Sequence, residues 1–287
     1  MPIDCQELLN WDIPEVIQTI TQRDAILYAL GIGMGSNPVD PQQLKFVYEA
    51  DLKTLPTMAV ILCYPGQWHA NPGTGIVSSH VVQGVQKFII HRALPAVCTV
   101  RGKTRINGVY DKGAGRGALV TTECVVSDVA SGNVLCTIGT THFCRANGGF
   151  GGPGGPDALP PGIPLRKPDV QCELETLPQA GLIYRLSGDR NPLHADPEYA
   201  KRAGFKAPIL HGRCTFGVVG HAILKSLCGY DETRLKGMSA RFIAPVYPGE
   251  TICTEMWTEH NNVFFRARVK ARDVVVLDAG VAEIDGL

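Results

Sequence analysis

Asp189 and His194 stand five positions apart in Ser187-Gly188-Asp189-Arg190-Asn191-Pro192-Leu193-His194. Pro192 interrupts any helix between them, so the pair belongs to a loop, stiffened by Gly188, Pro192 and Pro197. A stiff loop can aim a carboxylate and an imidazole at one small object, such as a water molecule. Acid–base chemistry on an activated double bond needs that arrangement. Each residue also has a plainer reading. Asp189 could be a turn residue bonding its own backbone, His194 a satisfied loop histidine, and Asn191-Pro192 an ordinary turn pair. Asp196, just before Pro197, reads as a helix N-cap. A third candidate, Gly212, opens a helix expected over 212–227, with Phe216, Val219, Ile223 and Leu227 on one face. The first N–H groups of a helix lack intrahelical acceptors and lie at its positive end. Gly212 could therefore offer its amide to developing negative charge, or could simply relieve crowding between helix and strand.

The elements that must position these residues fall into two halves. Residues 147–169 are rich in glycine and proline, carry no periodicity, and read as a linker. The first half is 1–146 and the second is 170–287. Each opens with a short helical patch (24–30 and 197–204) and closes with long β-type runs. Strands are expected over 85–92, 98–107, 118–128 and 134–145, then over 235–243, 251–260, 263–271 and 274–284. No helix matching 212–227 is evident in the first half. The repeat is one of element order. It predicts an α+β fold, with helices on one face of an antiparallel sheet.

The chain has 287 residues, 45% hydrophobic and 19% charged, with formal net charge +0. A neutral total argues against a nucleic-acid binder. No apolar run reaches membrane-spanning length, and Met1-Pro2-Ile3-Asp4-Cys5 lacks the features of a signal peptide. The 10 cysteines form no Cys-x-x-Cys pair, which suits a reducing compartment and free thiols. A cytoplasmic location is expected; a peroxisomal one would lack the Ser-Lys-Leu address, since the chain ends Asp285-Gly286-Leu287. His194, Asp196, His211 and His221 have metal-ligand chemistry, but no His-Glu-x-x-His spacing occurs and no metal is expected. Gly31-Ile32-Gly33-Met34-Gly35 follows a helical patch and meets Pro38, unlike a dinucleotide loop. No Gly-x-Ser-x-Gly elbow occurs.

The string from Ser187 to His194 resembles the signature of the hydratase 2 (MaoC-like) family of enoyl-CoA hydratases. Ile209-Leu210-His211-Gly212-Arg213-Cys214-Thr215-Phe216-Gly217 resembles the family's second block, beginning 20 residues after Asp189. Residues 23–33, Leu55-Pro56-Thr57 and 148–152 extend the resemblance into the first half. It implies two hot-dog folds side by side, the first without its central helix, leaving a tunnel for an acyl chain. It implies that Asp189 and His194 hold a catalytic water, Asn191 orients the site and the Gly212 amide receives the thioester oxygen. The product would be a (3R)-3-hydroxyacyl-CoA, with acyl-CoA as substrate, no cofactor, and a homodimer as the assembly. Coenzyme A contacts would fall on Gln83, Gly84, Lys112 and Phe242. Lys112 reads equally as a solvated turn lysine, and Phe242 as core. The chain departs from the family at Gln83, where His-Gly is usual. Two rival functions share such a fold: an acyl-CoA thioesterase and a non-catalytic acyl-thioester module. The first would want a carboxylate on the central helix, which 212–227 lacks; the second has no need of the Asp189/His194 pair.

Overall fold

Alternation along the strands builds the sheet. The stretch Ala118–Asp128 buries Ala118, Val120, Thr122, Cys124 and Val126 and turns the residues between them outward, the period of a one-face-buried strand. A computed structural model describes residues 2–155, 162–259 and 262–287. The middle of the expected linker, 156–161, and residues 260–261 lie outside the described residues. The strands are β1 (Val16–Ile20), β2 (Val81–Ile90), β3 (Cys98–Asp111), β4 (Ala118–Asp128), β5 (Val134–Cys144), β6 (Val170–Glu175), β7 (Leu235–Phe242), β8 (Thr251–Glu259), β9 (Asn262–Val269) and β10 (Val274–Ile284). They form a single 10-stranded sheet in the order β1-β3-β4-β5-β2-β7-β10-β9-β8-β6, with every neighbouring pair antiparallel. Within each half the spatial order is the same: first, third, fourth, fifth, second. The halves meet where β2 pairs with β7, from Val85↔Arg241 to Ile89↔Gly237.

Among the described residues six α-helices accompany the sheet: α1 (Cys5–Leu9), α2 (Gln22–Gly31), α3 (Pro41–Leu44), α4 (Ala180–Tyr184), α5 (Pro197–Arg202) and α6 (Gly212–Leu227). Thr21 and Asp24 close a reciprocal capping box on α2. Helix α6 is buried almost all round, from Cys214 to Leu224, as a helix wrapped by a sheet must be. Its glycines set how closely the halves approach. A Cβ on Gly217 would fall 2.6 Å from Ile32 Cγ2, and one on Gly220 would fall 2.3 Å from Thr57 Cγ2. In the first half the position of α6 is taken by a 3₁₀ segment, Pro56–Ile61, all six residues of which are buried.

The expected α+β architecture and the four long strands of each half are present. Strand β2 starts earlier than expected, and β3 runs on past Asn107 because a bulge between Ile106 and Gly108 absorbs the irregularity there. Two short strands escaped the pattern, β1 and β6, and both lie at the edges of the sheet. The first part of 147–169 is not a free linker. The Asp111 carboxylate accepts the N–H groups of Gly113, Gly149 and Gly151 at 2.7–2.8 Å, which clamps the glycine run onto the β3–β4 turn. Backbone without side chains can fold round a carboxylate in this way, and those bonds hold the Asp111 carboxyl below its ordinary range.

Candidate active site

The chain reaches the site through a sequence of tight turns. Helix α4 runs into a 3₁₀ turn, Arg185–Ser187, which ends at Gly188 with φ +117°. A left-handed residue there turns the chain back sharply. Asn191 then caps a second 3₁₀ turn, Pro192–His194, its Oδ1 accepting the Leu193 N–H at 3.0 Å. Asp189 Oδ1 accepts the Asn191 N–H at 3.2 Å. The turn reading of both residues is therefore correct. One carboxylate oxygen fixes the loop, and the other makes no hydrogen bond among the described residues.

His194 is held with equal definition. Its Nδ1–H donates to the Ile209 carbonyl at 2.9 Å, which leaves the Nε2 lone pair bare. Burial pushes its pKa down; the Ile209 bond and the Asp189 charge oppose that push. The imidazole is thus a neutral base near pH 7. Asp189, His194 and His211 each present a donor atom, all within 4.8 Å of one another. The His211 Nε2–H donates to the Asp189 carbonyl at 3.1 Å, and its ring stacks on His194 with centroids 3.7 Å apart. Burial pushes His211 down to about 4, and the adjacent His194 adds to that. The three donors do not suit a metal ion. Imidazole lone pairs lie in the ring plane, and rings stacked at 28° cannot both aim at one ion roughly 2.1 Å away.

Gly212 is the first residue of α6, and His211 supplies no side-chain cap. The opening amides are left for a ligand at the positive end of a buried helix. The crowding explanation for the glycine holds too, since a Cβ there would meet Phe242 Cε1 at 3.0 Å. Phe242 is thereby placed against the Gly212 backbone. Gln83 and Gly84 sit at a bulge in β2. The Gln83 amide donates to Gln86 Oε1, which also accepts from Arg213 Nε at 3.3 Å. The structure thus ties Gln83 to the residue beside Gly212. Lys112 is not brought to this cluster. It is exposed on the β3–β4 turn. The register Asp111↔Ala118, Ala118↔Cys144, Cys144↔Val81 puts it at the same end of the sheet as the start of β2. Three strand spacings separate them, roughly 14 Å.

Beneath the first half's sheet lies a narrow pocket of about 30 Å³ that opens to solvent. Val60 lines it from the 3₁₀ segment, Leu62 and Tyr64 from the chain that follows, and Arg213 from α6. The Arg213 guanidinium lies 4.6 Å from the Tyr64 ring centroid. The pocket therefore connects the space left by the missing helix with the N-terminus of α6.

Residues 162–279 match the family described as MaoC like domain, and residues 19–146 match the MFE-2 hydratase 2 N-terminal domain. The chain belongs to the MaoC-like hydratase 2 family. The peroxisomal enoyl-CoA hydratase 2 of Arabidopsis thaliana is 40% identical over 98% of this chain and 95% of its own length. A MaoC-like dehydratase from Phytophthora capsici superposes with a TM-score of 0.86 at 36% identity, covering 97% of this chain and 98% of that one. A double hotdog protein from Mycobacterium tuberculosis, 14% identical, shares the fold with a TM-score of 0.55 over 96% of this chain and 94% of that one. The double hot-dog architecture of this hydratase 2 family member is thus shared across wide sequence distances.

Several residues around the site went unassigned in the sequence: His211, Arg213, Gln86 and Tyr64. For His211 a signal was present. It occupies the N-cap of a buried helix, where Ser, Thr, Asp or Asn is usual, so its side chain is free for another task. Arg213 and Gln86 carry no signal in one dimension, because their bond joins positions 127 apart.

Proposed function

We propose that this site adds water reversibly across the double bond of a trans-2-enoyl-CoA, giving a (3R)-3-hydroxyacyl-CoA. The observation that carries the reading is the convergence of the Asp189 carboxylate and a neutral, tautomer-fixed His194 beside the free amides of α6. The thioester carbonyl makes the β-carbon electrophilic. A water held between Asp189 and His194 gives its oxygen to that carbon and a proton to the pair. The pair returns a proton to the α-carbon. The Gly212 N–H receives the carbonyl oxygen while enolate charge develops. Asn191 acts through the loop, fixing where Asp189 points. Phe242 covers the thioester, and the acyl chain extends into the first-half pocket. Gln83 and Gly84 border the entry, and Lys112 at the rim is a partner for a coenzyme A phosphate. No carboxylate lies on α6 to support thioester hydrolysis.

All 10 cysteines are free, consistent with a reducing compartment, cytoplasmic or peroxisomal. No helix of the described residues is long and apolar enough to cross a membrane. The reading includes a homodimer, since β1 and β6 end the sheet with unpaired backbone edges; a monomeric mass by light scattering would remove that part. The main test is Asp189→Asn, assayed by loss of enoyl-thioester absorbance and by chiral analysis of product. The variant should fold with unchanged melting temperature and lose on the order of 10³-fold in kcat. Turnover like that of the wild type would reject the assignment.

A further inference from the structure

A receptacle for plain hydrocarbon has no use for hydrogen-bonding side chains, yet the first-half pocket is partly lined with them. Thr104, Thr122 and Thr140 project into it from β3, β4 and β5, all buried. Thr122 and Thr140 stand opposite each other in register, and Thr140 also pairs with Gln86 of β2. His142 follows two residues after Thr140 on the same face of β5, opposite Gln83. Its ring packs against Trp68 and His69, with centroids 5.7 Å away in each case. Burial, helped by His69 and Arg213, pushes the His142 imidazole down to about 3. The ring is therefore neutral, with one donor and one acceptor.

What distinguishes these groups is how they are satisfied. The His69 ring is held by Ser78 Oγ at 2.8 Å, and the Thr122 hydroxyl donates to the Thr140 carbonyl at 3.4 Å. Neither the His142 ring nor the Thr140 hydroxyl makes a hydrogen bond among the described residues, and both line the pocket. An alkyl chain entering here would displace water from both and leave them unpaired, which is costly. An oxygen atom on that chain would pair with them. Sites built to bond a polar group discriminate strongly against the analogue that lacks it. The charge of the group also follows. Among the described residues one cation lines the pocket, Arg213, and it is already engaged by Gln86 and the Tyr64 ring. A carboxylate would sit beside a neutral imidazole with no free counter-charge.

We propose that this pocket selects 2-enoyl thioesters whose acyl chain carries a neutral oxygen substituent, a hydroxyl or keto group, over the unsubstituted chain of equal length. The inference rests on the hydratase reading and narrows it. The test is a competition in one tube between trans-2-octenoyl-CoA and counterparts bearing a hydroxyl or keto oxygen at successive carbons beyond the double bond. The ratio of kcat/KM values is the readout, because it is indifferent to how much of a preparation is folded. At least one oxygenated substrate should be favoured about tenfold or more in the wild type. Thr140→Val and His142→Phe should each bring that ratio toward one, whereas His142→Gln, which keeps a donor and an acceptor, should hold more of it. A ratio near one in the wild type overturns the inference, as does a preference that survives both Thr140→Val and His142→Phe. Crotonyl-CoA, too short to need the pocket, separates the two levels. Its hydration with a ratio near one removes this inference alone, and no hydration at all removes the hydratase reading beneath it.

Discussion

The two halves fold one strand order around different contents. The second half wraps α6, 16 residues long, while the first half wraps the 3₁₀ segment Pro56–Ile61, six residues long. A long helix brings an N-terminus with unpaired amides into the middle of the molecule, and those amides can face a substrate. A short 3₁₀ segment brings none, but it leaves volume. On the proposed reading the chemistry sits in the half that is full, and the space sits in the half that is not. Neither half suffices alone, because Arg213 at the start of α6 lines the pocket of the other half.

The sharpest way to break this division is to remove the amide at Gly212 without removing the helix. Proline is tolerated at the first position of a helix. His211, with ψ 135°, already has the extended backbone that a following proline requires. Gly212→Pro deletes the N–H but also adds a Cβ close to Phe242, so Gly212→Ala is the control for the added carbon. We expect Gly212→Ala to lose several-fold in kcat as the Phe242 ring yields. Gly212→Pro should lose a further ~10²- to 10³-fold, the usual consequence of deleting an oxyanion donor. Equal losses in the two variants would mean that the amide does no chemistry and that the glycine is there for packing only.

A smaller effect is expected at the seam between the halves. A Cβ on Gly220 falls 2.3 Å from Thr57 Cγ2, so Gly220→Ala pushes α6 away from the 3₁₀ segment. Overpacking of this kind costs about 1–3 kcal/mol. Thr57→Ala removes the methyl in the way, together with a buried hydroxyl oxygen that has no partner among the described residues. The double variant should recover most of the stability lost in Gly220→Ala, as measured by urea denaturation. Additive losses instead would show that the halves are not in close contact at this point.

What could be read in advance follows the same division. The α+β class, the duplicated element order and helix 212–227 were legible because period-2 and period-3.6 patterns are local. So was the Asp189/His194 loop, where Gly188 and Pro192 force the geometry within a few residues. The edge strands β1 and β6 were not, being short and with few alternations to count. The pairing of Gln83 with Gln86 and Arg213 was hidden as well, since only the β2–β7 junction brings β2 beside α6. The role of Gly148 to Gly152 misled for a physical reason. A glycine run looks like a free linker unless the acceptor that organises it is known, and Asp111 lies some forty positions earlier.

The histidines offer the last and smallest refinement of the contrast between a working half and a receiving half. His194 is lowered by burial, so it remains a base below its ordinary value of ~6.5. The acid limb of kcat/KM should accordingly fall below pH 6.5, with a plateau from neutrality down to that point. His211 and His221 at about 4, and His142 at about 3, are also neutral when folded. When the chain unfolds, each takes up a proton below about pH 6.5. Their contribution to stability is whole above that pH and is lost as pH falls toward 4, by about 1.4 kcal/mol per unit for each ring. Activity and melting temperature measured over the same pH series separate the two effects. His142→Phe removes one ring from the stability slope but belongs to the receiving half, so the acid limb of crotonyl-CoA hydration should keep its midpoint. A midpoint that moves with this variant would mean that the two halves share a titration, and that the pocket takes part in the proton transfer itself.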